Sequence, residues 1–132
     1  MKKLEGRCLC GAIRYESKDK PKRMVASDCR HCRKQAGVAL SLSLGVATQS
    51  LDLHGLAPTV YVDSRPSGIV VLRSFCPRCG VPLFTESDIE PGIVFINAAT
   101  LDDAPSIDLV EDQKQVEQFD QGGPPGAPAI PH

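Results

Sequence analysis

The sequence predicts a mainly β domain with little helix, and three observations carry that expectation. Eleven Gly and eleven Pro among 132 residues set turns more densely than a helical bundle carries. Several segments alternate apolar with small or polar residues, the two-residue period of a half-buried strand. With four Phe, two Tyr and no Trp, the core must be built from Val, Ile and Leu, and β-branched residues favour strands. The length suits one domain.

Along the chain, Ala12 to Glu16 sets Ile13 and Tyr15 on one face and Arg14 and Glu16 on the other, as a short strand does. Cys32 to Ala36 is the one helical stretch, about a turn and a half, entered through Ser27 or Asp28 and stopped by Gly37. From Val38 to Val46, large apolar residues (Val38, Leu40, Leu42, Leu44, Val46) interleave with small ones, so this is a strand with one bulky face. Thr59 to Asp63, Ile69 to Phe75 and Gly92 to Ile96 are further β-branched strands, cut by turns at Ser64 to Gly68 and at Glu90-Pro91-Gly92. Ile107 to Val110 is a last candidate strand. The domain is expected to span 1–120, leaving residues 121–132, rich in Gly and Pro, as a flexible tail.

Fifteen basic against sixteen acidic residues give a formal charge of -1, so no overall field draws in nucleic acid or anionic lipid. Met1-Lys2-Lys3 is followed by Leu4-Glu5-Gly6-Arg7 where a signal peptide needs an apolar stretch. The longest apolar pieces, such as Ile69 to Leu72, fall far short of the ~20 residues that span a bilayer. The expected compartment is the cytoplasm, where close cysteines more often bind metal or do redox chemistry than form disulfides.

The six cysteines fall in three pairs: Cys8-Leu9-Cys10, Cys29-Arg30-His31-Cys32 and Cys76-Pro77-Arg78-Cys79. In the first, an extended i, i+2 spacing sends both sulfurs to one side. The last forms a tight knuckle in which Gly80 takes a positive φ. Cys76 lies 66 positions beyond Cys10, which requires a whole sheet to fold between the two pairs. Together Cys8, Cys10, Cys76 and Cys79 close a tetrahedral four-thiolate shell, the usual structural zinc site, with no position open to substrate. A thioredoxin-type dithiol at Cys76 and Cys79 is the alternative, but Gly80-Val81-Pro82 opens a helix poorly. Arg7 and Arg78 stand beside these ligands, where they could offset the charge of the site or simply face water.

Cys29 and Cys32 are a different kind of pair. Two ligands do not hold zinc, and His31, strained between them as a third, is expected to face solvent. Ser27 and Asp28 are the remaining nearby donors. A helix N-terminus and the charges of Arg30, Arg33 and Lys34 favour thiolate, which makes Cys29 and Cys32 the reactive candidates; two inert reduced thiols are the bland alternative. His54 is expected at the surface and His132 in the tail.

The order Gly6-Arg-Cys8-Leu-Cys10-Gly11-Ala-Ile-Arg-Tyr15, then Cys29-x-x-Cys32-Arg-Lys-Gln-Ala-Gly37, then Phe75-Cys76-Pro-Arg-Cys79-Gly80-Val-Pro-Leu-Phe84, with Thr100-Leu101-Asp102-Asp103 beyond, resembles the glutathione-dependent formaldehyde-activating enzyme family, which includes the centromere protein V domain. The resemblance implies antiparallel sheets in a β-tent, a four-thiolate zinc at Cys8, Cys10, Cys76 and Cys79, and a second, three-thiolate zinc. It further implies carbon–sulfur lyase chemistry that makes or breaks S-hydroxymethylglutathione. The second site departs from the pattern. Where the family resembles Cys-His-Cys-x-x-Cys, this chain has Ser27-Asp28-Cys29-Arg30-His31-Cys32. A neutral hydroxyl is a poor zinc ligand, so zinc at Cys29 and Cys32 is expected to be weak or absent, completed by Asp28, water or a substrate sulfur.

Three functions follow from this reading. The leading one is a zinc-dependent lyase-like protein acting on an adduct of glutathione, or another thiol, with a small aldehyde such as formaldehyde. The others are a zinc-stabilised binding domain without catalysis, and a dithiol redox protein that cycles Cys29 and Cys32.

Overall fold

In the computed structural model, residues 4–27, 30–37 and 41–103 are described, together with the backbone of 116–119. Among the described residues, ten strands and one short helix follow in the order β1 (Leu4–Arg7), β2 (Ile13–Ser17), β3 (Arg23–Ser27), α1 (Arg30–Ala36), β4 (Ser41–Ala47), β5 (Leu51–Gly55), β6 (Thr59–Ser64), β7 (Val70–Phe75), β8 (Pro82–Ser87), β9 (Ile93–Asn97) and β10 (Val116–Phe119). Single 3-10 turns at Thr48–Ser50 and Ala98–Thr100 lead out of β4 and β9. The mainly β class is therefore observed. The expected strands at residues 12–16, 59–63, 69–75 and 92–96 each appear within a residue of their boundaries. Residues 38–40, the start of the alternating stretch, lie outside the described residues, as do the candidate strand at 107–110 and the tail at 121–132.

The strands form two sheets, one of three strands ordered β1-β2-β5 and one of seven ordered β10-β3-β4-β9-β8-β7-β6. Neighbouring strands pair antiparallel except β10, which runs parallel to β3 with Val116 against Met24. That pair adds one parallel ladder to the expected antiparallel sheets, and a four-residue strand more than 90 positions from its partner leaves no local signal for it.

Register decides which face of the large sheet is core. Met24, Leu44, Ile96, Phe84, Ser74 and Val60 form one row across six strands, and residues opposite one another point to the same side. Met24, Leu44 and Ile96 are fully buried on this face. The small sheet covers its centre: Ile13 and Tyr15 of β2 pack into a cluster with Val46, Phe84, Val94 and Ile96. Tyr15 meets Phe84 edge to face, with ring centroids 5.1 Å apart, a favoured aromatic geometry. The opposite face carries the row Arg23, Gly45, Phe95, Thr85, Arg73 and Tyr61, and is far more polar.

One glycine explains how the small sheet closes on the rest. Gly6 of β1 bridges Leu101, and a Cβ there would lie 2.3 Å from the Tyr15 hydroxyl and 2.4 Å from the Thr100 carbonyl oxygen. The Thr100 hydroxyl donates to the Asn97 carbonyl at 2.7 Å, so Tyr15 donates to Thr100, at 2.6 Å. Burial drives the Tyr15 phenol up to about 12, which keeps it a donor at ordinary pH. Gly6→Ala is expected to cost about 3 kcal/mol, the upper end of typical overpacking, because backbone forms one wall of the gap. A thermal or urea melt of the variant checks this.

Candidate metal centre and the cluster beneath the helix

Cys8 and Cys10 lie in the turn between β1 and β2; Cys76 and Cys79 lie in the turn between β7 and β8. The turns are built alike. The Cys8 N–H donates to the Ile13 carbonyl at 3.1 Å and the Cys76 N–H to the Val81 carbonyl at 3.1 Å. Gly11 and Gly80 return to the carbonyls of Cys8 and Cys76, at 3.1 and 2.8 Å, with φ of 77° and 79°, the left-handed region where glycine escapes a Cβ clash. Cys8-Leu9-Cys10 is thus a turn and not the extended segment expected from its spacing. Leu9, at its tip, is 85% exposed.

The two turns bring four sulfurs within 4.8 Å of one another. Cys8 and Cys10 are 3.6 Å apart and Cys10 and Cys76 3.8 Å. A tetrahedral zinc with Zn–S bonds near 2.3 Å requires sulfurs ~3.8 Å apart, so the spacing fits the ion. None of the four forms a disulfide. Backbone donors suit thiolates as well: the N–H groups of Ile13 and Arg78 reach the sulfurs of Cys8 and Cys76 at 3.4 and 3.3 Å. Backbone N–H groups of Val81 and Cys10 pull the Cys79 thiol down to about 6. Cys10 moves the other way, up to about 11, because burial and the three neighbouring sulfurs outweigh the lowering by the Ala12 N–H. Four negative charges this close need a cation in order to coexist. Of the two flanking arginines, Arg7 lies 3.8 Å from Asp102, and Arg78 meets the cluster through its backbone N–H.

Cys32 belongs to the backbone of α1, whereas Asp28, Cys29 and the side chains of Ser27 and Cys32 lie outside the described residues. Helix α1 covers the expected stretch and begins two residues earlier, at Arg30.

His31 corrects the expectation that it faces solvent. Its side chain is three-quarters buried, and Nδ1 lies 2.8 Å from both carboxylate oxygens of Asp63. Arg73 Nε donates to the same Asp63 at 3.0 Å. Asp63 and Arg73 are 4% and 3% exposed and stand diagonally across the β6–β7 pair on the polar face. Burial alone would raise the Asp63 carboxyl; the hydrogen bonds and charges of His31 and Arg73 outweigh it and hold it below the usual range. The signal in the sequence was one acid and one base inside otherwise apolar strands, and it becomes legible only once register places them together. His54 is exposed on β5, as expected.

A family model described as "Glutathione-dependent formaldehyde-activating enzyme" matches residues 3–119. The chain belongs to this family. A Halomonas elongata protein named "Putative glutathione-dependent formaldehyde-activating enzyme" is 30% identical over 103 residues, which cover 75% of this chain and 66% of that protein. The chain thus spans slightly under two-thirds of that relative's length. A crystal structure of a Rhodobacter sphaeroides protein superposes with a TM-score of 0.63 at 19% identity, over 87% of this chain and 99% of that one, and shares its fold. Among the described residues, no helix is long and apolar enough to cross a membrane.

Proposed function

We propose that this family member acts on the adduct of glutathione, or a similar thiol, with a small aldehyde, and that Cys8, Cys10, Cys76 and Cys79 hold a structural zinc that fixes its fold. The observation that carries the reading is the family match over residues 3–119, which takes in all six cysteines.

In the joining direction the thiol sulfur attacks the aldehyde carbon. A carbon–sulfur bond forms, the carbonyl π bond breaks onto oxygen, and the thiol proton ends on that oxygen; the lyase direction reverses each change. The four-thiolate zinc would supply rigidity, since a closed shell leaves no position for substrate. Chemistry is assigned to the Cys29 and Cys32 segment, where Arg30, Arg33 and Lys34 favour a thiolate, whether it belongs to the protein or the substrate. A second zinc there, if bound, would polarise the carbonyl oxygen as a Lewis acid.

The departure at Ser27 favours a second reading, a zinc-stabilised binding domain that has lost catalysis. Exchange NMR on glutathione mixed with formaldehyde separates the two. Wild-type protein is expected to speed interconversion of glutathione and S-hydroxymethylglutathione, and Cys32→Ser to return it to the uncatalysed rate. No acceleration by zinc-replete wild type would overturn the lyase reading in favour of the binding domain.

A further inference from the structure

Helix α1 has seven residues, too few to hold its shape without tertiary support. One side-chain tie from it to the sheet runs through His31 to Asp63, and Asp63 is braced in turn by Arg73. A buried carboxylate–guanidinium pair is costly to desolvate, and replacing such a pair by apolar residues of similar volume is often neutral for stability. What apolar residues would not supply is a two-oxygen acceptor at 2.8 Å from a ring nitrogen, which fixes the imidazole's position and orientation. His31 immediately precedes Cys32 on the helix.

We infer that Asp63 and Arg73 are positioning residues: through His31 Nδ1 they set α1, and with it Cys32, in the geometry the reaction needs. The inference rests on the proposed role of the Cys29 and Cys32 segment. It assigns a function to the β6–β7 pair, whose strands hold no cysteine. The acid and base act through the helix and do not touch substrate.

The test uses full-length, zinc-loaded protein with two substitutions at the histidine. His31→Leu removes the Nδ1 donor and leaves the Asp63–Arg73 pair intact. His31→Asn places an amide N–H near the Nδ1 position and supplies nothing where Nε2 stood. Hydrogen exchange over residues 30–36 and turnover of glutathione with formaldehyde are read together. His31→Leu is expected to speed exchange over 30–36 at least about tenfold and to lower kcat about ten- to a hundredfold with KM nearly unchanged, as misplacement of a catalytic group does. His31→Asn is expected to recover most of both. The paired replacement Asp63→Leu with Arg73→Met, which removes the acid and the base together, should match His31→Leu in exchange and in kcat.

Unchanged exchange in His31→Leu overturns the inference. So does faster exchange with undiminished kcat, which would make the tie purely structural. Recovery of exchange but not of kcat in His31→Asn overturns it too, since His31 would then act on the reaction itself. A wild type without turnover overturns the proposed reaction, while exchange over 30–36 still judges the tie to the sheet.

Discussion

Cys76→Ser is expected to leave a chain that is insoluble or loosely folded, without bound zinc and without a cooperative melt. Cys76 is fully buried, packs in the main core cluster and faces Cys10 at 3.8 Å, so its loss opens the shell from the inside. Structural zinc contributes roughly 10 to 16 kcal/mol in small peptides at neutral pH, against ~5 to 15 kcal/mol of net stability for a typical domain. Removing one of four ligands therefore threatens the whole fold. The two turns it joins belong to different sheets: Cys8 and Cys10 follow β1 of the small sheet, and Cys76 and Cys79 follow β7 of the large one. Soluble yield, zinc content and a calorimetric scan check the outcome. A variant with unchanged melting temperature and zinc would refute the structural role.

Ser27→Cys is expected to raise bound zinc from about one ion per chain towards two. Ser27 is the last residue of β3, paired with Ser41 of β4 and with Phe119 of β10, and the strand holds it three positions before α1. A third thiolate beside Cys29 and Cys32 supplies the three protein ligands that a catalytic zinc site normally has. Metal analysis after dialysis against a weak chelator reads the change. Two tightly held ions in the unsubstituted protein would contradict the view that Ser27 weakens the second site.

Much of the fold was legible because its strands announce themselves locally. Ile13 and Tyr15 are buried while Arg14 is exposed, as the alternation implied, and Gly37 ends α1 as expected. β3 was not legible: Arg23-Met24-Val25-Ala26-Ser27 has no clean alternation, and its place is fixed by pairing with β4. β5 was obscured by Asp52 and His54 on an exposed strand. β8 opens with Pro82 beside the register shift at Ser74/Phe75, where proline is tolerated because the ladder is already broken.

The four-cysteine cluster was legible from spacing, since the intervening sheet had only to bring two hairpin turns together. The turn at Cys8 was not, because i, i+2 spacing alone does not separate a strand from a turn closed by Gly11. Least legible was His31 against Asp63 and Arg73. Three residues from three elements, the outer two 42 positions apart, meet only through the register of β6 on β7 and the seat of α1 above them.

The claim on which the rest depends is that a four-thiolate zinc joins the two hairpin turns. Zinc K-edge X-ray absorption on purified wild-type protein, combined with metal stoichiometry, tests it most directly. One tightly bound zinc per chain, in a shell of four sulfurs at about 2.3 Å, is the expected result. A stably folded protein that holds no zinc, or zinc in a shell dominated by nitrogen and oxygen, would contradict it.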